Sequence, residues 1–231
     1  MTSNERPQKR FISLKKIKRR LKYAYRRYVL KDVFKAEVRR WQEDDGDNIY
    51  RLSYDLNERS VVFDLGGYLG DFASSIYNKY GCSIYLFEPS KAFFDKCVTR
   101  FHGNAAVKMF NFGLSNTTGE FTLSDEGDAS SLGNGALAGE RVAVKSFAEV
   151  FANLPVDEID LLKINIEGGE YDVIPHLIEN GLITKVRHLQ VQFHNFIPGA
   201  EQKRSEIEKA LLRTHKREWC YTFVWESWSR R

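Results

Sequence analysis

Acidic side chains at the ends of two apolar segments are the residues of this sequence best placed to do chemistry. Asp64 follows the apolar residues 61–63, and Glu88 follows a second apolar segment, residues 83–87, twenty-four positions after Asp64. The β-branched and aromatic composition of the first segment is typical of a strand buried in a parallel sheet. Because ligands of open α/β sheets bind at the carboxyl ends of the strands, both carboxylates are expected to face one ligand crevice.

Three glycines after the first acid allow the backbone to turn tightly next to a ligand. Gly66, Gly67 and Gly70 lie between Asp64 and a predicted helix. A dinucleotide-binding G-x-G-x-x-G pattern ending at Gly70 would need glycine at position 65, which is leucine. The Asp64 carboxylate would also repel a pyrophosphate. The pattern therefore favours S-adenosylmethionine, which has no phosphate and carries a sulfonium and an ammonium group.

Glu88 has the position of a ribose ligand. A carboxylate at the end of the second strand, roughly 20 residues after the glycines, is where a ribose diol is held in related nucleotide-binding folds. The alternative is an ordinary strand-to-helix turn followed by a solvated glutamate. Because the two acids and the glycines occur together, we favour the cofactor site.

A second group of polar residues follows two later strands. Residues 161–166 are mostly apolar, and the end of this segment carries Asn165 and Glu167, whereas His194 follows a predicted strand over residues 186–193. Transfer of a methyl group from this cofactor to an acceptor that carries a proton requires a base that removes the proton. His194 is the first candidate, because histidine titrates near neutral pH, and Glu167 is the second. The alternatives are a structural histidine and an acid that favours a helix N-terminus.

Alternating strand and helix signals place both groups in one α/β domain. Further strands are predicted over residues 107–111, 119–124, 141–145 and 221–225, and helices over residues 71–80, 90–101 with Ser90 as N-cap, 170–180 and 201–215. Residues 125–140, rich in glycine and serine, form a long loop that is either a lid over the ligand or disordered.

Composition indicates one globular domain with an appendage. The chain has 231 residues, of which 42% are hydrophobic, and this is enough for a full core. Three widely spaced cysteines indicate a reduced intracellular protein, and no apolar run reaches the roughly 18 residues of a membrane span. We therefore expect a cytoplasmic enzyme.

Basic residues are concentrated at the N-terminus. Residues 1–41 hold fifteen Lys or Arg and three acids, a net charge of +12, whereas the rest of the chain carries −8. Leu14, Ile17, Leu21 and Tyr28 share one face of a predicted amphipathic helix. This helix either binds an anionic membrane surface or another polyanion through residues 6–40, or packs its apolar face on the domain.

A polar segment, residues 42–48, marks the predicted domain boundary. The basic helical arm accordingly comprises residues 1–48, and the catalytic domain comprises residues 49–231. Binding of the arm to an anionic membrane would place the enzyme peripherally at that membrane.

Four motifs in this order resemble the FkbM-type S-adenosylmethionine-dependent methyltransferases. They are D-L-G-G-Y-L-G-D at residues 64–71, F-E-P at 87–89, N-F-G-L-S at 111–115 and L-K-I-N-I-E-G-G-E at 162–170. The resemblance covers about residues 61–196. It implies an α/β fold of class I methyltransferase type, with a Rossmann-like sheet of seven mostly parallel strands and helices on both faces.

The resemblance also implies O-methylation, commonly of a sugar, glycan or glycosylated small molecule. It places Glu167 in the active site. The cofactor-binding residues that it implies are Asp64, Gly66, Gly67, Gly70 and Glu88. Gly113 and Leu114, in the third motif, are predicted to bind the cofactor as well.

One position departs from the family pattern. The family usually has aspartate where this chain has Asn165. In related O-methyltransferases an aspartate at this strand end helps to bind a divalent metal or to accept the substrate proton, and an amide has no negative charge for either task. We therefore predict no metal and keep Asn165 as a third candidate catalytic residue.

Two other classes of function remain open. The basic arm is compatible with a nucleic-acid methyltransferase, but the D/N-P-P-Y/F strand end typical of DNA base N-methylation is missing. Pro89, in E-P-S, does not match it. A nucleic-acid substrate is therefore disfavoured. The substitution at Asn165 is also compatible with a non-catalytic module that binds the cofactor.

Overall fold

A seven-stranded sheet organises the chain in the computed structural model, which describes residues 31–122 and 140–231. The strands, in chain order, are β1 (Val61–Leu65), β2 (Ser83–Phe87), β3 (Val107–Phe110), β4 (Gly113–Ser115), β5 (Gly119–Thr122), β6 (Arg141–Ser146), β7 (Ile159–Ile164), β8 (Val186–Val191), β9 (His215–Tyr221) and β10 (Trp225–Arg230). The helices are α1 (Lys31–Glu43), α2 (Asp71–Tyr80), α3 (Lys91–Arg100), α4 (Phe147–Ala152), α5 (Glu170–Glu179), a 3₁₀ helix (Leu182–Lys185) and α6 (Ala200–Leu211).

The large sheet has the order β3-β2-β1-β7-β8-β10-β9. The pairs from β3 to β8 are parallel, and β10 is antiparallel to both β8 and β9. A smaller sheet of three strands has the order β4-β6-β5. The prediction of a seven-stranded, mostly parallel sheet is confirmed.

The central strands are buried on both faces, as their continuous apolar composition requires. Phe63 and Leu65 of β1 belong to a core that includes residues of α4, α5 and α6. Val62 of β1 belongs to a second core, on the opposite face, that includes residues of α2 and α3. Because β1 is covered on both sides, the accessible part of this strand is its carboxyl end, where the glycine loop begins.

The C-terminal part of the prediction is wrong. Residues 221–225 were predicted as one strand, but residue 221 ends β9, residue 225 begins β10, and residues 222–224 form the turn between them, where Phe223 has a positive φ of 61°. Helix α6 ends at Leu211, and His215 begins β9. His215 is fully buried, with Nε2 3.0 Å from the carbonyl oxygen of Val186. This tertiary contact explains why the helical pattern does not continue.

Ser90 precedes α3, but its side chain does not make the predicted capping hydrogen bond. Its hydroxyl donates a hydrogen bond of 3.0 Å to Glu140 Oε2, and Glu140 Oε1 accepts one of 3.1 Å from the backbone N–H of Lys91. A carboxylate distant in sequence therefore satisfies the helix N-terminus, which favours negative charge.

Helix α1 packs on the far edge of the sheet. Trp41 is buried, and its ring lies 5.7 Å from that of Trp219 and 5.0 Å from that of Tyr221, centroid to centroid. The predicted apolar face at residues 14–28 and the loop over residues 125–139 lie outside the described residues. Within the described ranges, no helix is long and apolar enough to cross a membrane.

Candidate active site

Asp64 lies near the carboxyl end of β1, where the cofactor is predicted to bind, and is fully buried. In the register of β1 and β7 it is paired with Lys163, whose Nζ lies 2.9 Å from Asp64 Oδ1. Neither carboxylate oxygen of Asp64 makes a hydrogen bond of normal geometry within the described parts of the chain. An acid with unused acceptor capacity is thus held next to the glycine loop.

Lys163 is a site residue that the sequence analysis missed. Its Nζ donates hydrogen bonds to the carbonyl oxygens of Leu65, at 3.3 Å, and Gly66, at 2.7 Å. Burial lowers the pKa of Lys163, and the neighbouring Asp64 opposes this shift. The lysine therefore forms an ion pair with Asp64 and hydrogen bonds with the backbone at the start of the glycine loop. The available signal was a charged residue inside an otherwise apolar strand.

The glycine loop is closely packed between β1 and the end of β7. Gly66 has a positive φ of 79°, and a Cβ there would lie 1.9 Å from the carbonyl oxygen of Asn165. A Cβ on Gly67 would lie 2.4 Å from the side chain of Leu86. Only glycine fits at position 66, because a Cβ there would collide with backbone, whereas a side chain at position 67 would require Leu86 to move.

Glu88 is buried at the end of β2 and is bonded to the same loop. Its Oε2 accepts a hydrogen bond of 2.8 Å from the backbone N–H of Tyr68, and its Oε1 accepts one of 2.9 Å from that of Ser90. Burial raises the pKa of Glu88 to about 7, and these two hydrogen bonds act against the rise. Each oxygen keeps a second lone pair for a ligand hydroxyl.

Three residues that follow β3 differ in their contacts with the segment after β2. They are Asn111, Gly113 and Leu114. The Asn111 side chain donates to the carbonyl oxygens of Glu88 and Pro89, both at 3.0 Å. Gly113 lies against Pro89, where a Cβ would be 3.6 Å from the proline Cγ. Leu114 has its side chain in the core. The predicted roles of Gly113 and Leu114 in cofactor binding remain predictions.

His194 lies just after β8 between two carboxylates. Its Nδ1 is 3.0 Å from Glu170 Oε1, which also accepts a 2.8 Å hydrogen bond from the His194 backbone N–H. Its Nε2 is 3.4 Å from Glu167 Oε2. The structure therefore brings together two of the predicted catalytic residues, His194 and Glu167. It adds Glu170, a fully buried acid that the sequence analysis read only as the start of a helix.

The charge of His194 follows from these contacts. Burial alone would lower the pKa of His194, but the interactions with Glu167 and Glu170 raise it to about 9. Interaction with His194 in turn lowers the pKa of Glu167, against the effect of burial. The free site therefore holds a mainly protonated imidazole at neutral pH. A base in this position becomes more available as the pH rises towards 9.

Glu167 and Asn165 lie in the turn between β7 and α5. Glu167 has a positive φ of 52°, which is uncommon outside glycine, and its side chain is 57% exposed. The Oδ1 atom of Asn165 is buried without a hydrogen-bond partner among the described residues. The turn thus presents one accessible carboxylate, which can accept hydrogen bonds from hydroxyl groups, whereas the amide oxygen of Asn165 is covered.

A cavity of about 540 Å³ lies apart from these residues. Its lining includes Tyr54, Tyr80, His188 and Trp219 and none of the predicted site residues. His188 belongs to the half of β8 that precedes Gln190, the partner of Lys163 in the sheet. The cavity therefore does not correspond to the predicted cofactor site at the carboxyl ends of β1 and β2.

The sheet order, the single antiparallel strand next to the edge, the glycine loop after β1 and the acid after β2 define a class I methyltransferase. A family model described as the methyltransferase FkbM domain matches residues 64–219, more than half of the chain. The chain belongs to the FkbM methyltransferase family. It is a methyltransferase, and its cofactor is S-adenosylmethionine.

The fold has a counterpart among solved structures. A putative rRNA methylase from Clostridium thermocellum is similar with a TM-score of 0.50 and 6% identity, over 81% of this chain and 96% of that one. A precorrin-6y C5,15-methyltransferase from Geobacter metallireducens has a TM-score of 0.45 and 14% identity, over 77% and 73% of the two chains. At these identities the likeness concerns the fold alone. No curated protein sequence matches the chain.

The residues present fit this cofactor. Among the described residues, the buried carboxylate of Asp64 makes no hydrogen bond of normal geometry, and its negative charge would attract an ammonium or sulfonium group. Glu88 offers free lone pairs for a ribose diol. The loop between them carries the glycines. S-adenosylmethionine has no phosphate, so the two acids do not cause the repulsion that a pyrophosphate would meet. Asp64, Glu88 and the loop at residues 66–70 would therefore hold the cofactor.

Proposed function

We propose that this enzyme methylates a hydroxyl group of a sugar, glycan or glycosylated small molecule. The observation that supports this most strongly is the position of His194, with Nε2 3.4 Å from the accessible carboxylate of Glu167. A hydroxyl that reaches Nε2 meets a base for its proton, and Glu167 can orient the acceptor by accepting a hydrogen bond from a neighbouring hydroxyl of the same molecule. O-methylation needs both, because a neutral hydroxyl is a weak nucleophile.

S-adenosylmethionine, when bound, supplies the methyl group: the acceptor oxygen forms the new O–C bond, and the sulfur keeps the electron pair of the bond that breaks. The protein holds the hydroxyl behind the methyl carbon and removes its proton. Glu167, whose side chain is 57% exposed, is suited to hold further hydroxyls of a polyhydroxylated acceptor. A sugar supplies several such groups within one ring, which is why we favour it over a simple alcohol.

Labelled methyl transfer tests this proposal. The protein is incubated with S-adenosylmethionine carrying a labelled methyl group and with a nuclease-treated cell extract separated into glycan, glycolipid and protein fractions. We expect a mass gain of one methyl on a hydroxyl in a carbohydrate-containing fraction, and its loss with His194→Ala. Label that is found in untreated extract and disappears after nuclease treatment would instead indicate a nucleic-acid substrate and contradict the proposal.

The same assay tests the prediction that no metal takes part. Among the described residues, no group of three or more His, Cys, Asp or Glu side chains is arranged to hold a metal ion. The amide of Asn165 also replaces the carboxylate that a divalent cation would prefer. We expect transfer to continue at an unchanged rate in EDTA. Loss of transfer in EDTA, restored by magnesium, would show that oxygen ligands elsewhere build a metal site.

A further inference from the structure

Glu170 makes hydrogen bonds to both loops that carry the candidate catalytic residues. Its side chain is completely buried at the start of α5. One oxygen, Oε1, accepts from the backbone N–H of His194 at 2.8 Å and lies 3.0 Å from His194 Nδ1. The other, Oε2, accepts from the backbone N–H of Gly168 at 2.9 Å. No part of this carboxylate is available to a ligand, so Glu170 acts only through the groups that it holds.

The contact with Glu170 determines the arrangement of protons on the imidazole. A carboxylate oxygen accepts hydrogen bonds, and a short contact with Nδ1 therefore requires the proton to be on Nδ1. In the neutral imidazole this leaves Nε2 without a proton and able to accept one. Nε2 is also the nitrogen that faces Glu167, whose side chain is 57% exposed. The acceptor nitrogen is thus on the accessible side.

Further contacts hold the ring and its backbone in place. The hydroxyl of Tyr171 donates a 3.0 Å hydrogen bond to the carbonyl oxygen of His194. The imidazole lies 5.2 Å from the ring of Phe196, centroid to centroid. The His194 side chain is only 10% exposed. Because the backbone N–H, the carbonyl oxygen and Nδ1 are all engaged, Nε2 is the polar atom of His194 left to meet a substrate.

We propose that Glu170 is the positioning residue of the reaction: it holds His194 with the proton on Nδ1, so that Nε2 takes the proton of the acceptor hydroxyl. This inference rests on the proposed O-methylation. In the proton transfer the O–H bond breaks, its electron pair stays on the acceptor oxygen, and Nε2 uses its lone pair to bind the proton. The imidazole becomes an imidazolium that keeps its hydrogen bond to Glu170, which is buried and negatively charged.

The charged groups around His194 give the pH dependence of this arrangement. Glu167 faces Nε2 from the turn after β7, and Glu170 faces Nδ1 from α5. From α6, Lys203 lies over the ring of Tyr171 and Arg204 over that of Phe193, neighbours of the histidine. The carboxylates outweigh burial and raise the pKa of His194 to about 9. The rate limited by this base should therefore rise with pH up to about 9.

Two variants distinguish the positioning of His194 by Glu170 from a general effect of negative charge near the site. Glu170→Gln keeps the size of the side chain but removes the charge, and its amide group cannot accept from both Gly168 and His194. Asp172→Asn removes the same charge from the first turn of α5 at an exposed position. We expect Glu170→Gln to lower kcat by about 10²-fold, within the range of general-base catalysis, with little change in KM. The rising limb of its pH profile should move to lower pH, and Asp172→Asn should match the wild type.

Nitrogen-15 NMR of the histidine side chains decides the inference on the protein alone. In the wild type we expect His194 to titrate near pH 9 and its neutral form to carry the proton on Nδ1. In Glu170→Gln the His194 pKa should be lower. A neutral His194 with its proton on Nε2 in the wild type would overturn the inference, even if the variant does not fold. An unchanged kcat and pH profile in a folded Glu170→Gln would overturn it as well.

These readouts also separate the inference from the proposed function. If no hydroxyl in any fraction is methylated, the proposed function fails, and the NMR result still shows how Glu170 holds His194. If a hydroxyl is methylated but Glu170→Gln behaves like Asp172→Asn, the function stands and the positioning role fails. Calorimetric binding of S-adenosylmethionine to Glu170→Gln, with wild-type affinity, would show that the variant is folded.

Discussion

Replacing Lys163 with methionine is expected to lower the free energy of unfolding by about 3 to 5 kcal/mol, the cost of leaving one member of a buried ion pair without its partner. The side chains of Lys163 and Asp64 are 4% and 0% exposed, so solvent does not screen the pair. The lysine also supplies the hydrogen bonds to the carbonyl oxygens of Leu65 and Gly66. Urea unfolding followed by circular dichroism measures the change.

Lys209→Met, at an exposed position of α6, is the matched control and should change the unfolding free energy by no more than about 0.5 kcal/mol. The double variant Asp64→Leu and Lys163→Met should recover part of the loss, because it removes the charge that the single variant leaves unpaired. A loss below about 1 kcal/mol in Lys163→Met would show that the two charges do not depend on each other in the folded protein.

Much of the sheet was predictable because its signals are local. The apolar composition of residues 61–63 and the following glycines fix a buried strand and a tight turn within a few residues. The wrong assignments at residues 212–215 and 222–224 have the opposite origin. β9 and β10 form a hairpin whose turn includes Phe223 at positive φ, and His215 leaves the helical pattern because it packs against Val186 on a distant strand.

The site was predicted in part for a related reason. Asp64, Glu88 and His194 could be proposed from the sequence because each lies at the end of a recognisable strand, and their roles remain predictions. Lys163 could not be assigned, because its role depends on the register that places it beside Asp64, 99 positions earlier. Glu170 was read as a helix residue, because only the folded chain brings it to His194. The basic arm adds a prediction that the described residues do not test, since residues 1–30 lie outside them.

Calorimetric titration with S-adenosylmethionine tests the central claim, that the ends of β1 and β2 form the cofactor site. The titration is run at about pH 8, above the pKa of about 7 of Glu88, so that the carboxylate is mainly charged. Glu88→Ala then removes a carboxylate that would receive two hydrogen bonds from the ribose, each worth about 1.5 to 3 kcal/mol for a charged acceptor. We expect affinity to fall by about 10² to 10⁴-fold. Glu179→Ala, at the exposed end of α5, is the control and should bind as the wild type does.

A cofactor analogue that lacks both ribose hydroxyls makes the test specific, because Glu88 also holds the backbone at Tyr68 and Ser90. The wild type should bind the analogue far more weakly than S-adenosylmethionine, whereas Glu88→Ala should bind both about equally. Unchanged affinity of Glu88→Ala for S-adenosylmethionine would contradict the account. So would a Glu88→Ala variant that still distinguishes the two ligands as strongly as the wild type.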